Sequence, residues 1–144
     1  MLKIYFAGSI RGGREQIDIY QQMITYLSTY GQVLTEHVGK ESITKKGEAG
    51  MNDVEIYRRD IYWLKSSYIV VAEVSNPSLG VGFEIAKAIE LHKQVICFYR
   101  KQAGQRLSAM IAGCTEVKVF EYDNFEDFKA RVDSVFKKVK TNLK

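Results

Sequence analysis

The 144-residue chain is poor in the residues that build metal and redox centres: it has two histidines and two cysteines. His37 and His92 are too few for a histidine-rich metal site. Cys97 and Cys114 match neither a C-x-x-C redox pair nor a zinc pattern, and Cys97 sits in the apolar run VICFY, where a thiol acts as a small buried hydrophobe. No apolar stretch approaches the ~20 residues needed to cross a bilayer. The opening MLKIYFAGSIRGG holds an apolar run too short for a secretion-signal core, so it reads as a first strand. The expectation is a soluble, cytoplasmic protein, or a nuclear one if the source is eukaryotic. Repeats, linkers and low-complexity segments are also missing, which leaves one domain over residues 1–144. Charge is not in large excess either. The net value is +4, and much of it lies in the terminal FKKVKTNLK, a basic tail from about residue 138. Such an end can touch nucleic acid, but a solvated helix face that frays is the plainer reading. Mild positive charge also suits a small anionic substrate.

What is present is a regular alternation. Residues 2–7 (LKIYFA) form an apolar run, and residues 14–29 carry Ile17, Tyr20, Met23, Ile24 and Leu27 at helical spacing, ending at Gly31. QVLTEH is a second strand, and residues 38–51, with three glycines and no apolar period, read as a long surface loop. A helix over 52–66 follows, capped by Asn52 or Asp53, then the strand YIVVAEV. The turn SNPS, which holds the only proline, leads to a helix over 79–92. QVICFY is a fourth strand, RKQAGQRLSAMIAG a loop with a short helix, EVKVFEY a fifth strand, and 124–140 a last amphipathic helix. Near-continuous apolar strands alternating with helices mean a parallel sheet covered on both faces. The predicted fold is single-domain α/β: a Rossmann-like, doubly wound sheet of order 2-1-3-4-5. In such sheets ligands bind beyond the carboxyl ends of the strands where the order switches, which brings the loops after strands 1 and 3 together.

Those loops are GSIRGGR and SNPSLGVG. The first can cradle an anion on glycine backbone, free amides and arginine forks, although it fits neither G-x-G-x-x-G nor the Walker pattern. A plain glycine turn with solvated arginines is the alternative. In the second, Ser78 can cap the following helix, and Gly80 and Gly82 keep the turn bare. Glu84 falls in the first turn or two, on a stripe with Val81, Ala88 and Leu91. A helix start should keep it ionised, whether it complements the dipole only or does chemistry. Asp60 shares a helix side with Ile56, Trp63 and Leu64, so it should be partly desolvated and able to hold a proton. Otherwise it is a boundary aspartate paired with Arg59 or Lys65. Two carboxylates pushed apart in this way suit a nucleophile and a general acid, as in retaining glycoside cleavage with carboxyl groups ~5 Å apart. Tyr5, near the carboxyl end of the first strand, is either a core aromatic or an orienter of Glu84.

The blocks YFAGSIRGGR, VLTEH, RDIYWL, VVAEVSNPSLGVGFE and LSAMI, in this order over roughly residues 3–115, resemble the 2'-deoxynucleoside 5'-phosphate N-hydrolases. These are relatives of the nucleoside 2-deoxyribosyltransferases. The resemblance implies cleavage of the N-glycosidic bond of a deoxynucleoside monophosphate to free base and 2-deoxyribose 5-phosphate. It makes Glu84 the nucleophile, Asp60 the acid toward the departing base and Tyr5 the positioner. Ser9, Ile10, Arg11, Gly12, Ser78 and Gly80 become the 5'-phosphate side of the site, and Met110 a base contact. Ser108 would reach the neighbouring subunit's site, which implies a homodimer. Neither a metal nor an organic cofactor is implied. Related readings are a nucleoside 2-deoxyribosyltransferase, a ribonucleotide N-glycosidase acting on CMP, and a nucleotide-binding sensor without chemistry. A receiver domain needs an acidic cluster after strand 1 and an aspartate after strand 3, where this chain has AGS and AEVSN.

Overall fold

In a computed structural model the described residues are 1–10, 14–36, 50–102 and 104–143. Five strands, β1 (Lys3–Ala7), β2 (Gln32–Val33), β3 (Ile69–Glu73), β4 (Gln94–Tyr99) and β5 (Lys118–Glu121), form one sheet of order β2-β1-β3-β4-β5. Every pairing is parallel, as predicted. The helices are α1 (Arg14–Leu27), α2 (Asp53–Ser66), α3 (Leu79–Glu90), the short α4 (Ala109–Ala112) and α5 (Phe125–Leu143).

Strand alternation divides the core in two. Ile4 and Phe6 of β1, with Ile69 and Val71 of β3 and Ile96 and Phe98 of β4, pack under α1 and α5 against Tyr20, Met23, Leu27, Phe128, Val132 and Phe136. Tyr5, Ala7, Val70, Ala72, Val95 and Cys97 face the other way, toward Leu64 of α2 and Val81, Ile85 and Ala88 of α3. One consequence matters for the site: strand parity sends the Tyr5 phenol to the α2–α3 side.

Several predicted boundaries shift, for local reasons. The second strand, expected over QVLTEH, pairs only at Gln32 and Val33. The Leu34 N–H still donates to the Ile4 carbonyl at 2.9 Å. The Thr35 hydroxyl then takes over the ladder, accepting from Phe6 N–H at 2.8 Å and donating to Phe6 C=O at 2.7 Å. A side chain thus satisfies the backbone of β1 where a strand would have run on. His37 and residues 38–49 of the expected loop lie outside the described residues. Gly31 is required by a close approach rather than by a helix cap: a Cβ there would lie 2.3 Å from the Leu2 carbonyl oxygen. Helix α3 stops at Glu90, and His92 takes a left-handed φ of 59° to turn the chain into β4. The fifth strand is shorter than EVKVFEY, and α5 runs on to Leu143.

Candidate active site

The loops after β1 and β3 adjoin because those strands are neighbours, with Ala7 paired to Ala72 at their carboxyl ends. Helix α3 leaves the second loop with Ser78 as its N-cap, whose hydroxyl accepts from Val81 N–H at 3.2 Å. A Cβ built on Gly80 would lie 3.9 Å from Ser78 Oγ and 4.0 Å from Glu84 Oε1. The helix start is therefore bare between its capping serine and the carboxylate one turn on.

Tyr5 meets Glu84 there. The phenol is 1% exposed, and its hydroxyl donates to Glu84 Oε2. Burial, then the charges of Glu84 and Asp60, push the phenol far above its ordinary pKa, so it stays a donor. Glu84 is raised to about 7, mainly because burial disfavours its charge. The Tyr5 hydrogen bond pulls the other way, and the negative charge of Asp60 adds to the rise.

Asp60 lines the same cleft, of about 240 Å3, with Ile56, Ile61, Gly80, Phe83 and Glu84. Its Oδ1 accepts from Arg59 Nη2 at 2.9 Å and Nε at 3.0 Å. The Arg59 guanidinium in turn lies 4.6 Å from the centre of the Trp63 ring. Burial changes the expected state of one of the two carboxylates. Glu84, expected to stay ionised at the helix start, is the one that desolvation drives toward neutrality. Asp60 is ion-paired, as the second reading of that position had it, and Trp63 serves as the platform for its partner. The structure selects Arg59 over Lys65 from the two partners that the sequence offers. The stacking on Trp63 was readable only as an i, i+4 arginine–tryptophan spacing in α2.

The remaining site residues divide. Ser9 is 7% exposed at the end of β1 with Ile10 beside it, while Arg11 and Gly12 lie outside the described residues. Ser108 and Met110 do not join Glu84. They line a larger, mostly apolar groove of about 710 Å3 with Ser78, Val81, Ile85 and Cys114. Met110 is 82% exposed there. Among the described residues no cluster of three or more metal-binding side chains occurs, and no helix is long and apolar enough to cross a membrane.

The chain is similar to the 5-hydroxymethyl-dUMP N-hydrolase of Danio rerio, 44% identical over 126 residues that cover 88% of each protein. It is 46% identical to the Mus musculus protein of the same name over 119 residues, 82% of this chain and 69% of that one. Among solved structures it resembles the CMP N-glycosidase of Clostridium botulinum, with a TM-score of 0.65 and 16% identity, over 92% of this chain and 98% of the other. That likeness speaks for the fold alone. The family described as nucleoside 2-deoxyribosyltransferase matches residues 4–134, a span from β1 into α5 that includes Tyr5, Asp60 and Glu84, and the chain belongs to that family.

Proposed function

We propose that the protein hydrolyses the N-glycosidic bond of 2'-deoxynucleoside 5'-monophosphates, giving free base and 2-deoxyribose 5-phosphate. The observation that carries this reading is the Tyr5–Glu84 hydrogen bond in a cleft that Asp60 also lines. Glu84 attacks C1' as the C1'–N bond breaks, and the bonding pair leaves with the base, which takes up a proton. A carboxylate beside C1' stabilises the positive charge that develops there, and a deoxysugar lacks the 2'-hydroxyl that would oppose it. Water then attacks C1' and gives up a proton to Asp60, and the C1'–O bond to Glu84 breaks with its electron pair returning to the carboxylate. Its raised pKa means that Glu84 rests partly protonated near neutrality and must lose a proton to act. Asp60, which lines the same cleft, takes up that proton and passes it to the base, and its ion pair with Arg59 supports a fixed orientation. Ser9, Ser78 and the amides around Gly80 hold the 5'-phosphate at the start of α3. Ser108 and Met110, separated from the cleft in their own chain, complete the site of a second copy in a homodimer. The relatives named for 5-hydroxymethyl-dUMP make that nucleotide the first substrate to test.

The test incubates the protein with 5-hydroxymethyl-dUMP, dGMP, dCMP, CMP and the unphosphorylated nucleosides, with no acceptor base. Free base from the deoxynucleotides, and a glycosyl adduct on Glu84 by mass spectrometry, are expected. Turnover only when an acceptor base is added would make the protein a transferase; equal turnover of nucleoside and nucleotide would refute the phosphate site. Mixing Glu84→Ala with Ser108→Ala chains should restore part of the activity that each lacks, since one hybrid site is intact. No recovery refutes the shared site.

A further inference from the structure

At the same edge of the sheet, on the face under α1 and α5, lies a third carboxylate, one that the reaction above does not use. Glu73, the last residue of β3, is 1% exposed. Its Oε1 accepts from Ser75 N–H at 2.7 Å, and its Oε2 accepts from the Ser75 hydroxyl at 2.8 Å and from the Tyr122 hydroxyl. Ser75 Oγ accepts in turn from Arg100 N–H at 2.8 Å. One carboxylate thus ties the carboxyl ends of β3, β4 and β5 together and grips the first residue of the loop that ends at Ser78. Its charge also reaches Tyr20, whose hydroxyl is pushed up in pKa by burial first and by Glu73 second. Tyr20 supports the other loop: a Cβ on Gly8 would lie 2.8 Å from its Cζ. Burying a carboxylate is costly, and an apolar side chain would fill the space at the base of the loop without that cost. The donors it collects show what the charge achieves. Two come from Ser75, and the carboxylate spans both the backbone and the side chain of that one residue.

We infer that Glu73 is a positioning residue: by clamping Ser75 it holds the 75–78 loop so that Ser78 and the first amides of α3 face the 5'-phosphate. The inference rests on the phosphate site proposed above. A loop without the clamp has to be ordered when the nucleotide binds, so the loss falls on binding rather than on the chemical step. Glutamine can keep the clamp. Its carbonyl oxygen accepts from Ser75 N–H, and its amide donates to the Ser75 and Tyr122 hydroxyls once these rotate.

The experiment compares KM and kcat for a deoxynucleoside monophosphate in Glu73→Leu, Glu73→Gln, Ser78→Ala and the Glu73→Leu/Ser78→Ala double variant. Glu73→Leu is expected to raise KM about 10-fold with kcat within about 2-fold of wild type, and Glu73→Gln to restore KM to within about 3-fold. The double variant should be no worse than Ser78→Ala by more than about 2-fold, because both changes act on one contact. A merely structural role predicts effects that multiply, or a lower active fraction that reduces kcat at unchanged KM; either result overturns the inference. If Ser78→Ala leaves KM unchanged, the phosphate site itself is wrong and Glu73 loses its role with it. If Glu73→Leu does not fold, Ser75→Ala replaces it. That variant keeps the backbone N–H bond to Glu73 but loses the link to Arg100, and an unchanged KM there also overturns the inference.

Discussion

Replacing Glu84 by glutamine separates what the cleft needs for chemistry from what it costs the fold. Glutamine keeps the volume and can still accept from the Tyr5 hydroxyl, but it cannot ionise. The wild-type carboxyl moves from an ordinary 4.5 to about 7 on folding. At about 1.4 kcal/mol per pH unit, that difference makes the ionised carboxylate cost the native state about 3 kcal/mol. The sign follows from the direction. The native state binds the proton more tightly than the unfolded state, so the favourable contribution is complete below pH 4.5 and is lost as pH rises through about 7. Urea unfolding of both proteins at pH 5 and pH 8 measures the effect. Glu84→Gln should gain about 2–3 kcal/mol on wild type between those values, while losing hydrolysis at both. A stability difference that does not change with pH, or that favours wild type more strongly at pH 8, would refute the claim that burial holds this carboxyl near neutrality. Retained hydrolysis would remove it from the reaction.

Tyr5→Phe deletes the one contact that lowers the Glu84 pKa. The acidic limb of the kcat/KM–pH profile should move to higher pH, with about a 10-fold loss at pH 7; a limb that stays in place contradicts the hydrogen bond's role. Thr35→Val leaves the Phe6 N–H and C=O buried without their side-chain partner, and should destabilise by about 2–4 kcal/mol in urea unfolding. His92→Gly removes a side chain from a left-handed turn, and a gain of about 0.5–1 kcal/mol is expected by the same measurement. Leu64→Ala, at a fully buried position on α2, should cost about 2–5 kcal/mol and broaden activity loss by loosening the helix that carries Asp60.

The strand–helix alternation and the sheet order were readable because buried parallel strands have an apolar signature of their own. The caps at Asn52 and Ser78 were readable for a related reason: they depend on contacts three residues away, Glu55 N–H and Val81 N–H. Where the chain borrowed a distant partner, the reading failed. The second strand ends early because Thr35 reaches Phe6, 29 residues back. Gly31 looked like a helix terminator, yet it answers to the backbone of Leu2. Glu73 drew no reading of its own within the run YIVVAEV, and only its contacts with Ser75 and Tyr122 explain it.

The carboxylates show the same division most sharply. Sequence alone determined the parallel order, which makes the loops after the first and third strands neighbours, and the helical spacing that puts Glu84 shortly after its cap; it left Tyr5 as either a core aromatic or a partner of Glu84, and the Tyr5–Glu84 contact decided that. Sequence could not determine that Glu84 is driven toward its neutral form. Local rules favoured an ionised Glu84 at a helix start, but the depth of protein around that group outweighs the helix end, and a guanidinium stacked on Trp63 takes charge of Asp60. Protonation is set by the solvent and charges that surround a group in three dimensions, and that enclosure exists only once the sheet and both helices have closed around the cleft.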